Sequence, residues 1–243
     1  MTPTTAVATR PLNCSQVLKQ LKAMGTAQNR KVYARHGAPP EMLGVSNANL
    51  GKLKKQIKAD HDLAHNLAMQ LWNTGILDAQ ILATMICDPA QLKKSDCDRW
   101  VKDSSCYQLT GALAGAVARS PHALSRYEKW RKAKPEFTQT AAWSTLAGIV
   151  KHNPDAVNKP ILKEAINRIE TTIHTAPNRA RESMNTCLIC IGTYRDDLRK
   201  AAIAAAIRIG NVDVDHGETG CKTPDAASYI EKSTAHLAKK SGR

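Results

Sequence analysis

The stretch HDLAHNLAMQLWNTGILDAQILATMICDP, residues 61–89, decides the fold class. Leu63, Leu67 and Leu71 recur at every fourth position, and Leu77, Ile81 and Met85 repeat that spacing after Gly75. A period near 3.6 lines such residues along one helix face, so the stretch reads as two amphipathic helices joined by a tight turn. Neither helix can cover its own apolar stripe, so further helices must pack against the pair.

The same signature extends in both directions. Ile161, Ala165, Ile169 and Ile173 form a stripe over three turns. Breaks at Asp88-Pro89, Ser120-Pro121, Pro135, Asn153-Pro154, Pro160, Pro177 and Gly192 cut the chain into short helical segments. These marks predict helices near 14–24, 46–58, 61–73, 76–86, 106–119, 121–133, 137–151, 160–174, 178–191, 195–209 and 224–239. No segment reads as a strand. Antiparallel pairs repeating at about 40 residues suit an all-α solenoid better than a closed bundle. A single helical repeat domain is expected over residues 1–243, with residues 211–223 a structured loop before a C-terminal helix.

Charge narrows the function. Lys and Arg number 35 against 21 Asp and Glu, a net charge of +14 in 243 residues. Such an excess suits a polyanionic partner, nucleic acid before membrane, because clustered cations displace counterions condensed on a phosphate backbone. A hydrophobic content of 42% excludes a mostly disordered basic tail. No apolar run reaches the roughly 20 residues that span a bilayer, and MTPTTAVATRPLNC lacks the apolar stretch of a signal peptide, so a cytoplasmic location is expected. The seven cysteines then read as reduced thiols.

The cations gather as Arg30, Lys31, Arg35 and His36; as Lys52, Lys54, Lys55 and Lys58; as Arg126, Arg131, Lys132 and Lys134; and as Arg195, Arg199, Lys200 and Arg208. Any one cluster is explained by a solvated helix face. A curved solenoid, however, lines one concave surface with side chains from successive helices, so separate clusters can converge on a duplex. The residues expected to contact DNA, mostly at phosphates, are Arg30, Lys31, Arg35, Lys54, Lys55, Lys58, Arg131, Lys132 and Lys134.

Other candidate chemistry is weaker. Cys187 and Cys190 form a CxxC late in an apolar helix, away from the exposed N-terminus that lowers a thiol pKa, and core packing explains them. Asp213, Asp215, His216 and Glu218 are dense enough to suggest a divalent ion, yet Gly217 and Gly220 equally suit a structured loop, and no metal or other cofactor is expected. His61 and His65 lack the adjacent Glu of a metalloprotease signature.

Three stretches carry a resemblance: RKVYARHGAPPEMLGVSNANLGKLKKQIK at 30–58, residues 61–89, and DRWVKDSSCYQLTG at 98–111. They resemble the bacterial DNA alkylation-repair (AlkD-like) family, most specifically in Leu71-Trp72-x-x-Gly75-Ile76-x-Asp78-Ala79-x-Ile81-Leu82-Ala83, and the match continues to about residue 210. VDVDHGETGCKTPDA also resembles an extension in one branch of these proteins. The resemblance implies a HEAT-like α-solenoid whose concave basic face holds duplex DNA. In active members it further implies a carboxylate supporting cleavage of the bond to an alkylated purine, two tryptophans packed on the lesion nucleotide, and an arginine on the backbone. This chain departs at those places: the first tryptophan falls on Cys106, the carboxylate on Thr110, the arginine on Thr140 and the second tryptophan near Thr186 or Cys187. No Asp or Glu lies between Ser104 and Arg119, and Asp103 is seven positions from Thr110. Cleavage passes through an oxocarbenium-like state that a fixed carboxylate stabilises, and none is at hand.

Three readings follow. The preferred one is a monomeric DNA-binding member, without membrane association, that holds duplex or distorted DNA without base excision. The alternatives are a glycosylase of the 3-methyladenine/7-methylguanine type using another acid, and a protein-protein scaffold.

Overall fold

The computed structural model describes residues 11–57, 61–240 and 242. Every regular element among them is helical: α1 (Cys14–Met24), α2 (Ala27–Arg35), α3 (Asn47–Ile57), α4 (His61–Trp72), α5 (Leu77–Ile86), α6 (Lys94–Asp103), α7 (Tyr107–Val117), α8 (Ala123–Trp130), α9 (Glu136–His152), α10 (Lys159–Thr172), α11 (Asn178–Tyr194), α12 (Arg199–Ile209) and α13 (Ala226–Lys240). The chain resolves into two compact units; one holds α1, α3, α4 and α5, the other α6 to α13, and α2 is divided between them after Lys31.

In the first unit α5 packs on α3 and α4, and Leu50, Leu53, Leu67, Leu71, Trp72, Leu77 and Leu82 are buried. The Asp of the family motif has a definite task here. Asp78 is 1% exposed in the first turn of α5. Its Oδ2 accepts hydrogen bonds from the Leu43 amide at 2.5 Å and the Gly44 amide at 3.4 Å, and its Oδ1 accepts one from the Val45 amide at 2.6 Å. A carboxylate is the acceptor able to satisfy three converging backbone donors away from water. Gly44 completes the turn at φ 77°, where a Cβ would stand 2.6 Å from the Thr26 carbonyl oxygen. Asp78 therefore pins the segment before α3 to the start of α5.

The second unit repeats a two-layer pattern. In one layer α9 packs between α7 and α11, and α11 packs on α13; in the other, α10 packs on α12 and α6 on α8. Trp100, Trp130, Trp143 and Tyr127 are almost wholly buried between the layers, so four of the few large aromatics serve the core. Ion pairs stitch successive repeats. Asp98 of α6 accepts from Arg126 at 2.6 Å, Lys129 at 2.8 Å and the Trp130 indole at 2.8 Å, all on α8. Arg131, after α8, donates to Glu164 of α10 at 2.7 and 2.9 Å.

Two helices, α2 and α6, were not expected from periodicity. α2 buries no side chain, so it carries no apolar stripe to detect, and α6 buries only Cys97, Trp100 and Val101 within a charged segment. The segment expected as helix from 195 instead starts α12 at Arg199, because Arg195 turns back to the carbonyls of Pro154 and Val157 and to Asp197.

Candidate nucleic-acid interface

Of the positions that the resemblance sets against the family's reactive residues, Cys106, Thr110 and Thr140 are buried. Cys106 precedes α7, 1% exposed, and burial pushes its thiol pKa up. Thr110 is 0% exposed; its Oγ1 lies 2.7 Å from Ser104 Oγ and donates to the Cys106 carbonyl at 2.8 Å. Thr140 is also buried and bonds the Glu136 carbonyl one turn back. Thr186 is exposed on α11, whereas Cys187 beside it is in the core. Both hydroxyls at 110 and 140 thus serve their own helices, and Asp103 is the exposed last residue of α6.

Around the start of α7 the second unit assembles a polar cluster that sequence pattern did not single out. The Arg179 guanidinium lies over the Tyr107 ring, 4.3 Å from its centroid, a cation-π contact. Arg179 also donates to Glu182 at 3.0 Å and lies 3.5 Å from His216 Nδ1. Tyr107 Oη is 2.7 Å from His36 Nδ1, and burial raises the phenol pKa against the opposing pull of Arg179. Glu136 caps the start of α11 by accepting the Arg179 amide at 2.6 Å. These residues come from the turn after α2, from α7, α9 and α11, and from the loop before α13, so no local spacing announces them.

The loop at 211–225 is tied down through its backbone. Arg181 donates to the Asp213 carbonyl, Asn178 exchanges two hydrogen bonds with the Asp215 backbone, and Asn185 donates to the Pro224 carbonyl. Of the four residues weighed for metal, Asp215 accepts the Gly217 amide and His216 Nε2 lies 3.0 Å from Thr223 Oγ1. Among the described residues no group of three or more His, Cys, Asp or Glu is placed to hold a metal ion. Of the CxxC pair, Cys187 is in the core with its pKa pushed well up by burial, while Cys190 borders a cleft beside Lys151.

The expected DNA contacts fall in different settings. In the first unit Arg30 and Lys31 are exposed on α2, and Lys54 and Lys55 occupy the last turn of α3. Arg30 is partly engaged, donating to the Leu43 carbonyl at 3.1 Å. Lys58 lies outside the described residues. In the second unit Arg35 ends α2 and is exposed, and Lys132 and Lys134 are exposed in the turn between α8 and α9. Arg131 differs: its side chain is 12% exposed, held by Glu128 and Glu164 and lying 5.5 Å from the Tyr127 ring centroid. No helix among the described residues is long and apolar enough to cross a membrane.

Comparison with known proteins fits these features. The sequence model of the DNA alkylation repair enzyme family matches residues 17–230. Over 220 residues the chain is 31% identical to the uncharacterized protein Lin0241 of Listeria innocua serovar 6a, and 30% identical to the uncharacterized protein Lmo0209 of Listeria monocytogenes serovar 1/2a; each match covers 89% of this chain and 95% of the relative. Among solved structures it superimposes with a TM-score of 0.82, at 26% identity and over 96% of both chains, on a protein from a family related to the HEAT-like repeat DNA glycosylases and described as having affinity for branched DNA structures. The chain is an all-helical, HEAT-like member of the DNA alkylation repair enzyme family.

Proposed function

We propose that this protein binds duplex DNA that is branched or otherwise distorted, through its phosphates, and does not excise bases. Arg30, Lys31, Arg35, Lys54, Lys55, Lys132 and Lys134 make the contacts. Among the described residues, Lys54, Lys55, Lys132 and Lys134 form no ion pair, and a net charge of +14 supplies the long-range attraction. The observation that carries the reading is the state of Thr110. Where active relatives are expected to aim a carboxylate, this chain has a buried hydroxyl closed onto Ser104 and the Cys106 carbonyl. Nothing at that point can balance positive charge developing on a sugar. The affinity of the structural relative for branched DNA supports the choice of substrate. The protein acts as a cytoplasmic monomer.

Electrophoretic shift titrations on a four-way junction and on a linear duplex, at low and at moderate salt, test this. The junction is expected to bind more tightly, and both affinities to fall steeply with salt; binding indifferent to salt would overturn the reading.

A further inference from the structure

α13 carries two stripes with different characters. Ala226 and Ile230 are buried, and Ile230 seats the helix on α11 at Gly192, where a Cβ would come within 2.6 Å of the Ile230 Cδ1. The neighbouring stripe is Tyr229, Lys232, Ser233 and His236, spaced three, four and seven residues along one face. It does not close against α11. It lines an open cleft of about 620 Å³, with Lys151 of α9 and Thr193 and Tyr194 of α11 on the other walls. That volume lies within the range of small-molecule sites.

Three features of the cleft point to an occupant. No Asp or Glu lines it, although Lys151 and Lys232 do, with His236 beside them, so two cations converge there without an anion between them. Thr193 is 5% exposed and its hydroxyl has no hydrogen-bond partner, which leaves a buried polar group unsatisfied beside the cavity. Tyr229 stands 49% exposed, a flat aromatic surface of the kind on which bases stack. The adjoining Cys190 does not supply the missing charge, since burial holds its thiol pKa up at about 11 despite the nearby Lys151.

We propose that the cleft between α11 and α13 binds a nucleotide with a terminal phosphate, the base against Tyr229 and the phosphate among Lys151, Lys232 and His236. A phosphate monoester carries nearly two negative charges at neutral pH, against one for an internal diester, so the two lysines, with His236 as a further hydrogen-bond partner, select a strand end or a free nucleotide over continuous backbone. The strand-end form rests on the DNA-binding reading above; the free-nucleotide form does not.

The test uses the full chain and fluorescence anisotropy on oligonucleotides with 5′-phosphate, 3′-phosphate or hydroxyl ends, on covalently closed circular duplex, and with dAMP or inorganic phosphate as competitor. A phosphorylated end is expected to bind about tenfold more tightly than a hydroxyl end, with dAMP competing better than inorganic phosphate. Tyr229→Ala and Lys232→Ala each erase that preference and leave closed-circle binding unchanged; both side chains are exposed, so the fold tolerates the changes. Saturable dAMP binding without discrimination between ends supports the cleft with free nucleotide as its source. Phosphorylated ends bound while closed circles are not would sink the DNA-binding reading and leave the cleft standing. Equal affinity for all ends with no dAMP binding overturns the proposal, as does inorganic phosphate competing as well as dAMP.

Discussion

The end of α8 and the C-terminal half of α3 both carry runs of cations, Arg126, Lys129 and Arg131 in one and Lys52, Lys54 and Lys55 in the other, and the protein uses them differently. In the first, Arg126, Lys129 and Arg131 are bonded to Asp98, Glu128 and Glu164, joining α6 to α8 and α8 to α10. In the second, Lys54 and Lys55 form no ion pair with any described residue. Arginine's planar fork suits it to the bridging task, whereas a lysine on a flexible stem stays available to a mobile phosphate. Charge density alone does not mark an interface. What marks it is a cation that no carboxylate already holds.

Substitutions break or sharpen this contrast. The largest effect belongs to a charge that is wholly internal: Asp78→Ala removes the acceptor of three backbone amides, two of these hydrogen bonds buried, and is expected to cost about 3 kcal/mol or more, read as a lowered denaturation midpoint. Free cations should behave in the opposite way. Replacing Lys54 and Lys55 together by Glu is expected to lower DNA affinity about a hundredfold at unchanged melting temperature, since two phosphate contacts turn repulsive. For Arg131→Ala the order reverses again, with a loss of about 1 to 2 kcal/mol in thermal unfolding and DNA affinity within about twofold, because its partners are part-exposed glutamates. The smallest effect is a pH dependence at Asp98. Burial alone would raise its pKa, but hydrogen bonds from Lys129, Trp130 and Arg126 hold it below the ordinary 3.8. Its stabilisation is complete above that value and disappears as acid titrates the folded carboxylate, so Asp98→Asn should flatten the stability curve of the acid limb below about pH 4.

How much of this could be read from the chain follows from range. The stripes at Leu63, Leu67, Leu71 and at Ile161 to Ile173 are local, and they yielded α4 and α10 nearly to their ends. α2 left no trace because a helix with no buried face has no period. The Asp of the family motif was legible as a motif, but its reason, a cradle of amides 33 to 35 residues away, was not. The cluster of His36, Tyr107, Arg179 and His216 joins four distant segments, and the α11–α13 cleft depends on Gly192 admitting Ile230. At Arg131 the partner Glu128 is local and readable in the chain, whereas Glu164, 33 residues on, is not.

The central claim, a retained scaffold without base excision, meets its most direct test in a single-turnover assay. Excess protein is incubated with duplex DNA carrying 3-methyladenine and 7-methylguanine, and free base is separated by chromatography while a parallel gel confirms that the DNA is bound. The account predicts bound DNA and no released purine above the spontaneous rate. Release of either methylated base, abolished by changing a single Asp or Glu, would contradict it.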